Sequence, residues 1–312
     1  MSDALQRIES ESPEKRARDG LISAFIAFVL WGLFPIYFAI VIDVPALEVL
    51  VHRIIWAVPF GALVIHYRNQ WPEVVGALKH PRTVGYLTLS AILITGNWLV
   101  YIWAVQLEQI NQASLGYYIN PLLFALSGVV IFGERLRKAQ KMAIFLAAVG
   151  VSILAFSGGK IPAIALFLGV TFVAYGNIRK QVVVGGMPGL FIETLLLLPI
   201  ALGYLLWLIQ TGEAAFTLDQ PGLAGILLLA GPITVVPLLF FALAARRLNL
   251  STVGMMQFIA PTLQFVIAVY YGEELTSAHI VCFGLIWVAV LLFSFDAWRA
   301  NKATASPSAG LA

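Results

Sequence analysis

Arg53 is the one cation of this chain that stands inside an apolar run, where a charge is costly. It follows Glu48-Val-Leu-Val-His52 and precedes Ile54-Ile55-Trp56, so a cation sits inside a long apolar run. A central Arg costs about 2.5 to 3.5 kcal/mol on membrane-insertion scales, which makes gating or coupling the first expectation for it. The plainer reading is snorkelling to the nearer interface, roughly 9 Å away at about 1.5 Å per residue, helped by Glu48 one turn above. His52 lies i, i+4 from Glu48, a spacing that permits a pair favouring the protonated imidazole and hence proton coupling; a structural hydrogen bond is the alternative. Glu193, in Ile192-Glu193-Thr194, is a carboxylate in another apolar run. It is a candidate proton carrier or gate, or else a hydrogen-bond partner for a neighbouring helix.

Uncharged groups with recognition chemistry recur at helical spacing. Asn97 and Tyr101 form an i, i+4 stripe beside Trp98; Tyr117, Pro121, Phe124 and Gly128 repeat every three or four residues next to Asn120; Gln257, Pro261 and Gln264 do the same. The last two faces are expected to meet across a cavity, with Trp31 as a further wall residue. Each amide needs a partner at such depth, whether a ligand or another helix, the latter being worth about 0.6 kcal/mol. Pro121 and Pro261 each remove an N–H in mid-run, which predicts paired kinks.

The elements that must position these groups follow from composition. The 312 residues are 60% hydrophobic and 11% charged, with mean hydropathy +0.90. That much apolar surface exceeds what one core buries, so the bilayer is the expected solvent. A hydrocarbon core about 30 Å thick takes roughly 20 apolar residues per helix. Runs near 21–42, 47–66, 83–105, 111–132, 141–157, 161–179, 188–209, 222–245, 251–271 and 277–296 predict ten spans, the first read as a retained helix and not a signal peptide. The gaps on one side, together with both tails, carry 17 of the 19 Lys and Arg residues. The positive-inside rule then puts both termini in the cytoplasm. Basic loops facing an anionic leaflet account for the net charge of +3, so no nucleic-acid partner is implied. Residues 1–19 and 299–312 read as cytoplasmic tails, disordered at both ends. The single cysteine, Cys282, allows no disulfide within one chain, and no cofactor or metal is expected.

The two halves resemble each other at an offset near 140 residues. Ile110-Asn-Gln-Ala-Ser114, Asn120-Pro121 and Phe132-Gly-Glu-Arg-Leu136 align with Leu248-Asn-Leu-Ser-Thr252, Ala260-Pro261 and Tyr271-Gly-Glu-Glu-Leu275. Pro59 and Pro199 also align, as do Trp31-Gly32 and Tyr175-Gly176. Five spans per half, 20–157 and 158–298, invert the second copy relative to the first, and inverted repeats are a transporter architecture. Arg53 and Glu193 become counterparts about 12 to 15 Å apart in depth within a 30 Å core, too far for a direct salt bridge.

These motifs resemble the EamA domains of the drug/metabolite transporter superfamily. Glu48 to Arg53, Gly96-Asn-Trp98, Ala113-Ser-Leu-Gly-Tyr117, Ile119-Asn-Pro121 and Ile192-Glu-Thr194 resemble its RarD branch in particular. The resemblance spans about 20–296, and Ala260 departs from it where the first half has Asn120. It implies a basket of helices around a central cavity, with the fifth and tenth helices peripheral, in a bacterial inner membrane, and it implies export. The expectation is an all-α integral membrane protein: a secondary transporter, monomer or homodimer, for a small neutral, zwitterionic or amphipathic metabolite or drug, open to proton coupling. A membrane-embedded enzyme is the alternative class, but no zinc helix, nucleophile elbow or paired in-span Asp is present. A sensor or scaffold leaves the short outer loops unexplained.

Overall fold

Among the described residues the apolar runs become helices, because hydrocarbon offers main-chain N–H and C=O groups no partners except one another. The structure, a computed structural model, describes residues 13–133, 136–157, 162–217, 219–245, 247–248 and 256–305. Its helices are α1 (Pro13–Gly32), α2 (Phe34–Ile40), α3 (Ala46–Tyr67), α4 (Trp71–Leu78), α5 (Pro81–Gln106), α6 (Ile110–Phe132), α7 (Lys138–Ser157), α8 (Ala163–Gln181), α9 (Gly186–Thr211), α10 (Pro221–Leu228), α11 (Ala230–Ala245), α12 (Ile259–Tyr270) and α13 (Ser277–Ala305).

Among the described residues, five stretches are long and apolar enough to cross a membrane: Glu14–Ile40, Ala46–Tyr67, Pro81–Gln106, Gly186–Thr211 and Pro221–Ala244. A sixth is added if Ile110–Asn120 and Leu122–Ile131, bent by 41° at position 121, count as one span. The chain is thus an all-helical, multi-pass membrane protein.

Three features depart from the sequence reading. The helix begins at Pro13 instead of after a disordered tail reaching residue 19, since Pro in the first turn and Glu14 behind it both favour a helix start. At the other end α13 continues to Ala305, past the expected boundary at 298; residues 1–12 and 306–312 lie outside the described set. Two runs that hydropathy reads as continuous are interrupted, at Leu33 between α1 and α2 and at Leu229 between α10 and α11.

Packing is by helix pairs: α3 along α9, α1 along α11 and α12, α8 along α5 and α6, α3 along α11, α6 along α12, and α7 along α13. Small residues allow the closest crossings, as expected where lipid gives no hydrophobic drive between helices. A Cβ on Gly116 would stand 2.8 Å from the Ala165 carbonyl oxygen, so α6 and α8 meet nearly backbone to backbone.

Carboxylates tie segments distant in sequence. Glu73 Oε1 accepts the Gly185 N–H at 2.6 Å, just ahead of α9. Glu48 Oε1 accepts the N–H groups of Ala215 (2.8 Å) and Phe216 (3.2 Å), just beyond α9. Glu273 accepts from Ile110 and Asn111, capping α6, which has no side-chain cap of its own. Burial pushes the Glu273 carboxyl above the usual carboxylate range, and the two N–H donors pull it back. Glu273→Ala is expected to cost about 0.5 to 2 kcal/mol, the range for a lost N-cap. Thermal unfolding in detergent measures this, and a melting temperature equal to wild type would refute the capping role.

Candidate functional site

The apolar length of α3 carries Arg53 into the interior, where the residue is 2% exposed. Its Nε donates to Thr234 Oγ1 of α11 at 3.1 Å. The guanidinium carbon lies 4.3 Å from the Trp98 ring centroid and 5.5 Å from those of Phe34 and Phe38. Phe34 and Phe38, spaced i, i+4 on α2, bring two of these rings to one helix face. Tyr37, between them, donates to the Ile226 carbonyl at 3.1 Å and pins α2 to α10. The phenols of Tyr37, Tyr101 and Tyr117 lie near enough to feel the Arg53 charge. No carboxylate lies within ion-pairing distance of it among the described residues. Arg53 therefore does not snorkel; aromatic faces hold it inside, each worth about 2 kcal/mol when desolvated.

From this cage a file of rings runs through the protein. Phe38 meets Tyr101 at 5.8 Å between centroids, Tyr101 meets Tyr117 at 5.6 Å, Tyr117 meets Phe172 at 5.9 Å, and Phe172 meets Tyr175 at 6.2 Å. The Tyr175 hydroxyl then donates to Glu193 Oε2 at 3.5 Å. Ser90 Oγ donates to Glu193 Oε1 at 2.6 Å, and Arg179 Nε stands 3.6 Å from the same oxygen. Arg179 also donates from Nη2 to the Gly185 carbonyl at 3.1 Å. Two buried charges of opposite sign thus occupy the two ends of one aromatic file, on the paired helices α3 and α9.

The remaining candidates divide. Asn97 spends its whole amide: Nδ2 donates to the Leu168 carbonyl and to Thr171 Oγ1, both at 2.9 Å, and Oδ1 accepts from Tyr117 at 3.1 Å. It is a three-way tie of α5, α8 and α6. Asn97→Ala would orphan the Tyr117 hydroxyl and is expected to cost about 1 to 3 kcal/mol; chemical unfolding in detergent tests this, and a loss below 0.5 kcal/mol, about the least a typical net hydrogen bond contributes, would sink it. Asn120, fully buried, has no partner for either amide atom. Gln264 donates to the Trp31 carbonyl at 3.1 Å while its Oε1 has no partner. Trp31 itself packs on Phe28 and Phe241, 5.6 Å from each. Gln257 is half-buried in the turn before α12, and Pro261 sits in that helix's first turn. The bend at position 121 is the 41° break already described.

Two expectations are corrected. Tyr117 and Phe124 do not face α12; both turn to α8, meeting Phe172 at 5.9 and 6.3 Å. The α6 side chains that meet α12 are Ser114, donating to the Pro261 carbonyl at 2.8 Å, and Tyr118, 2.7 Å from Thr262 Oγ1. Adjacent residues of a helix point about 100° apart, so one helix serves two neighbours. His52 is likewise not poised as an imidazolium. Its Nδ1 accepts the Trp56 indole N–H at 3.1 Å, which requires a lone pair and leaves Nε2 to carry the hydrogen toward Glu48 at 3.9 Å.

Sequence reasoning missed Arg179, Ser90, Thr234, Phe34, Phe38, Tyr37 and Phe172. Arg179 was assigned to a basic loop, although it closes α8 and its side chain folds inward, 12% exposed. The i, i+4 spacing of Phe34 and Phe38 just after Trp31-Gly32 was the available signal for the cage.

Known proteins resemble this chain over nearly its full length. The EamA-like transporter family matches residues 18–156. An uncharacterised transporter of Vibrio cholerae is 43% identical, covering 93% of this chain and 96% of its own. Protein RarD of Escherichia coli is 40% identical, covering 93% and 98%. A solved crystal structure with 20% identity superposes at a TM-score of 0.60 over 91% of this chain and 98% of its own, which bears on the fold alone. The first-half motifs, the helical fold and this full-length likeness agree: the chain is a RarD-like member of the EamA transporter family.

Proposed function

We infer that this protein is a secondary transporter of a bacterial inner membrane that moves a small neutral, zwitterionic or amphipathic organic solute, a metabolite or drug, by alternating access. The observation that carries this reading is the file of contacting rings between Arg53 and Glu193, an apolar line through the helices with a buried charged residue at each end. Ten spans in two inverted halves, with both termini cytoplasmic, complete it. The packing pairs support that symmetry: exchanging the halves turns α1 on α11 into α8 on α5, α1 on α12 into α8 on α6, and α3 on α11 into α9 on α5. The pairs α3 with α9, α6 with α12 and α7 with α13 map onto themselves. Export is the direction the family suggests, and Glu193, held by Ser90, Tyr175 and Arg179, is the group assigned to proton coupling.

Counterflow of labelled amino acids and aromatic drugs in proteoliposomes tests this. At least one solute is expected to exchange, and an inward or outward proton gradient is expected to accelerate wild type severalfold but leave Glu193→Gln unchanged. If no solute moved through correctly folded protein under any gradient, a sensor or scaffold would replace the transporter. Flux in both proteins with equal gradient response would remove Glu193 from the coupling.

A further inference from the structure

The Arg53 end of the file holds a charge that no carboxylate among the described residues pairs with. A guanidinium has five N–H donors. One, on Nε, goes to Thr234, and the aromatic faces of Trp98, Phe34 and Phe38 occupy the planes above and around the group. The Nη groups remain, and they present the fork that matches a carboxylate with two parallel bonds.

The neighbouring phenols sharpen the chemistry. Tyr37 spends its hydroxyl on the Ile226 carbonyl and Tyr117 spends its own on Asn97. Tyr101, 2% exposed and between the cage and the file, has a hydroxyl with no partner. The unspent groups here, a guanidinium fork and one phenol O–H, are both able to donate to an oxyanion. A buried ion with no counter-charge costs several kcal/mol, a cost that an incoming anion would offset.

We propose that Arg53 and Tyr101 bind the carboxylate of the transported solute, with Trp98, Phe34 and Phe38 packing against the apolar body joined to it. The solute class is then an amphipathic organic acid or zwitterion carrying one carboxylate. Phosphate dianions do not fit, because a single cation leaves the second charge against ring faces that are themselves negative. This assignment rests on the transporter reading and narrows it.

Binding to the full-length protein in detergent, read as the ligand-dependent rise in melting temperature, tests the site without requiring flux. The probes are 3-phenylpropanoate, its neutral isostere 3-phenylpropanamide, L-phenylalanine and octanoate. Wild type is expected to bind 3-phenylpropanoate at least about tenfold tighter than the amide, the scale of a charge-assisted pair. Arg53→Gln is expected to abolish that preference, Arg53→Lys to retain part of it, and Tyr101→Phe to weaken acid binding severalfold while leaving amide binding alone. Equal binding of acid and amide by wild type, an undiminished preference in Arg53→Gln, or no binding of any of the three carboxylates overturns the proposal. The wild-type comparison holds even if a variant fails to fold. Counterflow of the same probes separates the two readings: preferential binding without flux refutes transport and keeps the carboxylate site, whereas flux that ignores the carboxylate refutes the site and keeps transport.

Discussion

Arg179→Ala is expected to destabilise the protein by about 3 to 5 kcal/mol, the cost of removing one partner from a buried ion pair. Glu193 is 1% exposed and Arg179 is its only cationic neighbour among the described ion pairs, at 3.6 Å. The same substitution also removes the side-chain donor to the Gly185 carbonyl, 3.1 Å away, leaving that oxygen the Gly189 N–H alone. Glu193→Gln should cost less, because a neutral amide can still accept from Ser90. The double variant should recover much of what Arg179→Ala loses, since no carboxylate is then left unpaired. Unfolding in detergent across this cycle reads the coupling directly. Strict additivity of the two single effects would mean that the pair contributes nothing and that Arg179 acts only through the chain turn at Gly185.

The second large effect is expected at a glycine. A Cβ on Gly231 would come within 2.7 Å of the Trp56 carbonyl carbon and 2.8 Å of Phe60 Cδ2, besides pressing on the Trp56 carbonyl oxygen. A main-chain carbonyl cannot rotate aside as a side chain can, so α3 and α11 must separate. Overpacking of this kind costs about 1 to 3 kcal/mol. The functional loss should exceed the loss of stability, because α3 bears Arg53 and α11 bears Thr234, whose bond at 3.1 Å tolerates little displacement. Gly203→Ala is the control: nothing lies within 4 Å of its Cβ position, and an exposed helical Gly to Ala change is favourable by up to about 1 kcal/mol. If Gly231→Ala melted and transported like Gly203→Ala, the close crossing would be wrong.

Much of this architecture was legible from apolar runs and their gaps, because the membrane dictates helix and leaves only length to be read. That Arg53 and Glu193 lie within apolar helices was legible for the same reason. What hydropathy could not supply was direction. It counted Arg179 with the loop charges, although the last turn of α8 aims it at α9. It read 21–42 as one apolar rod without showing that the face bearing Phe34 and Phe38 is the one turned to the guanidinium. Helical spacing grouped Tyr117 with Phe124 correctly but not the neighbour they face, since periodicity fixes an angle within a helix and says nothing of which helix stands there. The carboxylate ties of Glu48, Glu73 and Glu273 span more than a hundred residues each and leave no local trace.

Two of those ties share a mechanical consequence. Glu73 grips the chain just ahead of α9 and Glu48 grips it just beyond, and both belong to the stretch that flanks or forms α3. A rod lashed at both ends to its neighbour neither slides by a turn nor rolls without breaking a lashing. The ties therefore make the α3 and α9 pair one axle, and the proposed alternating access is expected to keep the gap between Arg53 and Glu193 constant. In the transport cycle proposed above, Arg53 and Glu193 are then fixed stations and the stroke belongs to the outer staves.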